Sequence, residues 1–240
     1  MVRHSGSKAF ILVVLTVVLS RATLPSRVDS APQPQDVRQK EHAKLYHYRT
    51  GKNLPQLAAT GTGDIVVEAA QYPGLWGLSP GPHPSYPHPF LVDVAARADA
   101  VVVGVTESSS SSLTEDQDFI FTDWRMTVEQ VLKDNPSAPI GVNTQIVVTR
   151  PGGTLVISGR NVRAIETMFS SFQAGGRYLL FLYSVPTTGS YRAFNDQSFE
   201  LLQTGVRKLK PGSLHIELKT RQDPQALLAE VRAAIAAGNS

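Results

Sequence analysis

Apolar residues are arranged mainly with strand periodicity from about residue 98 onward. Residues 98–106 (ADAVVVGVT) carry β-branched side chains on both faces and predict a buried strand. Serines 108–112 then open a polar loop that runs to Asp118. Residues 119–131 predict a second long strand, in which Trp124, Met126 and Val128 alternate with Asp123, Arg125, Thr127 and Glu129. The alternation breaks at Val131 and Leu132, which predicts a bulge or a strand end. Residues 144–149 (TQIVVT) predict a third strand, closed by Pro151-Gly152-Gly153. Leu155-Val156-Ile157 and residues 162–165 flank Ser158-Gly159-Arg160-Asn161, a hairpin signal. Residues 177–182 (RYLLFL) are apolar on both faces and predict a central strand. Residues 191–194 and 199–202 predict a further hairpin around Asn195-Asp196-Gln197. Finally, Leu227, Leu228, Val231, Ala234 and Ile235 form one helical stripe over 224–237. Asp223 is its N-cap, Pro224 its first residue and Gly238 its stop.

The first ninety residues read differently. Arg3 and Lys8 precede an uncharged apolar run of residues 9–19 (AFILVVLTVVL), followed by Ser20-Arg21-Ala22. This is the three-part layout of a secretory signal peptide cut after Ala22, with a second candidate cut after Ser30. A run this short falls below the ~20 residues of a membrane span. The expected domains are therefore a signal peptide at 1–22, a linker or wrapping segment at 23–89, Pro-rich and partly disordered, and a folded domain at 90–240. Within the middle segment, 37–49 predicts a short helix and 64–69 (DIVVEA) a short strand. Residues 71–89 (QYPGLWGLSPGPHPSYPHP) hold too many prolines for regular helix or central strand. The expected product is exported, periplasmic or extracellular, and stays anchored by its N-terminus if the leader is not cleaved.

Charge follows from the same division. Three of the 23 Lys and Arg residues lie in the leader, which has no acid, so the remaining chain carries 20 basic and 20 acidic residues. The formal charge of +3 is a property of the leader, and no net basic field is left for nucleic acid. With no cysteine, disulfides, thiolate zinc sites and cysteine nucleophiles are excluded. An exported chain held by its core alone suits a bacterial envelope.

The strands and turn together carry a resemblance. Ala98-Asp99-Ala100-Val101-Val102-Val103-Gly104, Thr122, and 128–133 (VEQVLK) form its first half. Pro151-Gly152-Gly153 and 175–182 (GGRYLLFL) form its second. The pattern resembles uncharacterised exported bacterial domains with a small OB-like barrel, related in fold to the netrin-like domain and the tissue inhibitors of metalloproteinases. It covers residues 98–203. The resemblance implies a mainly β fold: a small OB-like antiparallel barrel with a C-terminal α-helix. It implies no catalytic residue, and inhibition through an N-terminal cysteine is excluded because there is none.

Candidate chemistry is sparse. The sequence has no G-x-S-x-G, H-E-x-x-H, P-loop or dinucleotide fingerprint. Ser5-Gly6-Ser7-Lys8 matches S-x-x-K within the leader only. His83 and His88, set among prolines, are the best metal candidates, but no third ligand is near in sequence. Residues 115–118 (EDQD) offer carboxylates without the glycine and distal glutamate of a calcium loop, and read as a solvated loop. His42 and His47 read as surface residues. Arg207, Lys208, Lys210, Lys219 and Arg221 form a basic stretch. Trp76, Tyr86 and Trp124 suggest a stacking platform, although Trp124 lies on the inward register. No catalytic, cofactor or metal residue is assigned. The expected function is a non-enzymatic extracytoplasmic module that binds a protein or an envelope polymer. The alternatives are a metal-dependent hydrolase using His83 and His88, and a structural envelope component.

Overall fold

The computed structural model describes residues 35–45, 48–68, 70–71, 89–166, 170–209 and 223–238. Its helices are α1 (Gln35–Leu45), α2 (Leu54–Thr60), α3 (Pro89–Arg97) and α4 (Pro224–Gly238). Strands β1 (Tyr48–Arg49), β2 (Ile65–Glu68) and β3 (Ala70–Gln71) precede α3. The main strands are β4 (Ala100–Leu113), β5 (Ile120–Lys133), β6 (Gln145–Pro151), β7 (Gly153–Ile157) and β8 (Arg160–Ile165). They are followed by β9 (Arg177–Val185), β10 (Ser190–Leu202) and β11 (Gly205–Lys208). The chain is mainly β with a C-terminal helix.

One sheet runs β11-β10-β6-β5-β4-β9, and β10 also pairs with β9, so the sheet closes into a ring. The ring is not a regular barrel. Its β6–β10 contact is parallel and spans only Tyr191↔Val148 and Arg192↔Thr149. The two strands that are apolar on both faces lie side by side, with Val101 opposite Phe181 and Val103 opposite Leu179. Period-2 geometry explains why both faces are apolar. Val101, Val103, Leu179 and Phe181 meet Leu91 and Val94 of α3 and Leu227, Leu228 and Val231 of α4. The alternate residues Val102, Tyr178, Leu180 and Leu182 meet Met126, Val128 and Val148 on the other side. Full burial of each such aliphatic side chain contributes about 1.5–3 kcal/mol.

The bulge expected near 131–132 is present. Val101 pairs with Lys133 and Val102 with Val131, which leaves Leu132 as the extra residue, packed on the helix layer. Lys133 then reaches the end of α3 and donates from Nζ to the carbonyls of Ala95 (2.8 Å), Ala96 (3.1 Å) and Ala98 (2.7 Å). A cation on these last carbonyls satisfies acceptors that the helix itself leaves unbonded. At the other terminus, the Asp223 carboxylate accepts from Ala226 N at 3.3 Å, as an N-cap should.

Three expectations are corrected. The serine run is strand, not loop: Ser108 to Ser112 pair with Arg125 to Phe121 along the β4–β5 ladder. Serine has little strand preference of its own, so pairing with β5 overrides it. Residues 191–202 are one strand, not a hairpin. β10 pairs with β9 on both sides of an irregularity between Ala193 and Ser198, and the turns fall outside it, near Gly189 and Gly205. Residues 89–97, where no element was expected, form α3 with Leu91, Val94 and Ala95 buried on one face.

Part of the 23–89 segment packs on this framework. Asn53 caps α2 by accepting from Gln56 N at 2.9 Å, and Leu54 and Ala58 are fully buried. β2 joins β8 in parallel, and β7 and β8 form the expected hairpin. Its turn has Ser158 at φ 51° and Gly159 at φ 76°, the left-handed pair that a two-residue hairpin needs. Residues 1–34 and 72–88 lie outside the described residues.

Candidate functional site

The inward face of β5 changes character along its length. Met126 and Val128 are fully buried in the apolar interior, whereas Trp124 and Thr122 lie toward the end of the strand. Register brings hydroxyls beside them: Ser109 faces Trp124 and Ser111 faces Thr122 across the β4–β5 ladder. From the other side, Arg150 faces Thr122 across the β5–β6 ladder. These residues, with Ser170 and Phe172, line a pocket of about 280 Å³.

Close backbone approach shapes one wall. Thr122 Oγ1 donates to the Gly152 carbonyl at 2.7 Å and lies 2.9 Å from Ser111 Oγ. A hydroxyl has one proton, so Ser111 is the donor in the second contact. Gly153 sits at φ +150°, and a Cβ there would strike Thr122 Oγ1 and Ser111 Oγ. Only glycine lets the chain pass this close to the hydroxyl pair.

Arg150 and Phe172 form the opposite wall. Arg150 is 2% exposed, and its guanidinium carbon lies 4.5 Å from the centre of the Phe172 ring. Its Nη2 donates to the Ser170 carbonyl at 3.2 Å. A guanidinium held flat on an aromatic face is stabilised by the ring quadrupole and fixed in orientation. Phe172 packs in turn against Tyr178, with ring centres 4.6 Å apart, and meets Trp124 edge-on at 5.8 Å. The Tyr178 hydroxyl accepts from Gln173 N at 2.8 Å, which pins this segment under the ring. Burial pushes the Tyr178 hydroxyl above its ordinary pKa, so it stays protonated.

The described wall offers hydroxyls, one indole and one guanidinium. Among the described residues that line the pocket, Arg150 is the one ionisable side chain. Guanidinium does not deprotonate in proteins, so it supplies charge without general acid or base chemistry. Among the described residues of the pocket wall, no imidazole or carboxylate stands beside the serine hydroxyls to raise their nucleophilicity.

A second polar cluster lies on the outer face of β5 and β6, under α1. Asp123 is paired with Arg38 and accepts from Thr149 Oγ1. His42 is fully buried and stacks on Phe121, with ring centres 4.3 Å apart. Burial lowers its pKa to about 4. The Arg38 charge adds to this effect, while Asp123 and Glu41 oppose it. His42 is therefore neutral at ordinary pH. It is a buried docking residue and not the surface residue expected from sequence.

The remaining candidates separate. Asp118 accepts from Thr50 N (2.9 Å) and Lys52 N (3.3 Å), Asp116 accepts from Thr114 Oγ1, and Glu115 pairs with Lys40 at 3.8 Å. These carboxylates tie neighbouring segments together and do not converge. Among the described residues, no group of three His, Cys, Asp or Glu is placed to hold a metal. Arg207 pairs with Glu200. His47, Trp76, His83, Tyr86, His88, Lys210, Lys219 and Arg221 lie outside the described residues. Trp124 does point inward, as its register predicts, and borders the pocket. Sequence reasoning missed Ser109, Ser111 and Arg150. The one signal available was that alternate serines share a face with Thr122 and Trp124, provided that the serine run is strand.

No protein-family model matches this sequence, and no curated protein matches it. No helix among the described residues is long and apolar enough to cross a membrane.

Proposed function

We propose that this chain is an exported, non-enzymatic binding module whose ligand enters the pocket bordered by β4, β5 and β6. The observation that carries this reading is the wall chemistry: among the described residues it holds several hydroxyls, one indole and one permanent cation, and no group able to shuttle a proton. The leader pattern of residues 1–22 supports export. The ring's strand order supports the OB-like part of the reading, and with it the netrin-like resemblance. Taking β4, β5, β6, β9 and β10 as strands one to five, the ring runs one-two-three-five-four, antiparallel except between three and five. Partly open five-stranded barrels of this kind serve as binding platforms for varied ligands.

A ligand-observed NMR screen of small polar compounds against the purified protein tests the reading, run beside Ser109→Trp. Ser109 is exposed at the pocket rim, so the indole fills the opening without entering the core. Hits lost in the variant support a binding pocket. Catalytic turnover of an ester, glycoside or phosphate panel that is lost in the same variant would overturn the non-enzymatic reading.

A further inference from the structure

We infer that the pocket takes one neutral sugar ring, an uncharged pyranose, with Trp124 against its C–H face and the surrounding hydroxyls on its alcohols. This rests on the binding reading above and names its ligand class.

The described wall presents no reachable charge. Arg150 is its one ionisable side chain, and it is 2% exposed. It lies on the Phe172 ring and donates to the Ser170 carbonyl, so it serves as wall and not as a free cation. An ion entering here would shed its hydration without gaining a counter-charge, which selects an uncharged ligand. The same wall is nevertheless polar. The hydroxyls of Ser109, Thr154, Ser170 and Ser171 and the indole N–H of Trp124 have no hydrogen-bond partner among the described residues. Each of these hydroxyls can donate and accept. Ser111, whose proton goes to Thr122, keeps lone pairs for a ligand donor. An apolar ligand would cover these groups and leave them unpaired, whereas a ring carrying several alcohols returns a partner to each. Trp124 distinguishes a sugar ring from an open-chain polyol. Its half-buried indole offers a flat apolar surface to the C–H face of a pyranose. A space of about 280 Å³ admits one ring, so a polymer would be read at a terminal or looped-out unit.

Saturation-transfer NMR titration of the full chain tests this with methyl glucoside, methyl galactoside, the methyl glycoside of N-acetylglucosamine, methyl glucuronide and cyclohexanol. The first three share the chemistry, and their ranking tells which ring substituents fit. At least one of them is expected to bind about tenfold more tightly than both methyl glucuronide and cyclohexanol, with no weakening as salt rises. Trp124→Leu keeps an apolar side chain but removes the flat surface and the N–H, and should lower that affinity by about tenfold. Trp124 is half-buried, so Ser109→Trp is the variant that leaves the core intact, and it should abolish binding at unchanged melting temperature. Equal or tighter binding of methyl glucuronide overturns the neutral ligand. Equal binding of cyclohexanol overturns the sugar. Unchanged affinity in a folded Trp124→Leu overturns the ring contact. Pyranoside binding that survives Ser109→Trp overturns the site. If none of the three neutral pyranosides binds while other screen hits are still lost in Ser109→Trp, the ligand class is wrong and the pocket stands. If no hit depends on Ser109, both readings fall.

Discussion

His42 makes the docking of α1 dependent on pH. In the released helix its imidazole titrates near 6.5, and in the docked helix it titrates at about 4. The folded pKa is the lower one, so protons bind the released form first. Docking is at full strength above pH 6.5, weakens as pH falls through the window from 6.5 to 4, and levels off below it. At pH 4 the accumulated loss is about 3 kcal/mol, roughly a hundredfold in the docking equilibrium. The dominant cause is burial against Phe121. Asp123 and Glu41 favour the imidazolium, and Arg38 disfavours it. The contacts that dock α1 include Arg38–Asp123, Lys40–Glu115 and Thr187–Glu41 beside the His42 stack, and the loss is borne locally first. The assay is native-state hydrogen exchange of the α1 amides in the full chain at pH 7, 5.5 and 4, corrected for intrinsic rates. Protection should fall roughly a hundredfold more in the wild type than in His42→Leu, whose side chain is of similar size and does not titrate. The two proteins share every other group near α1, so those contributions cancel in the comparison. Equal loss of protection in the two would refute the assignment to His42.

Three further outcomes are expected. Gly153→Ala should lower stability by about 2 kcal/mol, since its Cβ meets the Thr122 and Ser111 hydroxyls at a backbone angle that suits glycine; urea unfolding measures this, and an unchanged midpoint would contradict the close approach. Lys133→Met keeps the aliphatic stem but removes three donations to the end of α3, and should cost about 1–2 kcal/mol, with the α3 amides the first to lose exchange protection. Metal analysis of purified protein should find no stoichiometric zinc or copper, and His83→Ala with His88→Ala should leave the metal content unchanged. A one-to-one metal lost in that double variant would instead revive the hydrolase reading.

Several elements were legible because their signal is local. The stripe and cap of α4 lie within sixteen consecutive residues, from Asp223 to Gly238. The alternation from Asp123 to Glu129 announces a strand with Trp124 facing inward, and its break at 131–132 marks the Leu132 bulge. The Ser158-Gly159 turn carries its own backbone requirement. Other elements have no such signal. The apolar face of α3 is short and follows a proline-rich stretch. The strand at 64–69 is legible, but its pairing with β8, where Val67 meets Ala164 far along the chain, is not. The serines of β4 read as loop until β5 is laid beside them.

By itself the sequence determined which strands are buried on both faces, where the last helix begins and ends, and that the charge beyond residue 22 sums to zero. These follow from periodicity, capping and counting, which need no partner. Tertiary structure alone decided how the strands pair around the ring, with β6 and β10 parallel, and that His42 is buried. It also decided that Ser109, Thr122, Arg150 and Phe172 surround one space. Each of those residues comes from a different segment, and their meeting depends on register across ladders and on a loop pinned beneath them. Contacts between distant segments leave no period in the chain, so the pocket exists only in the fold.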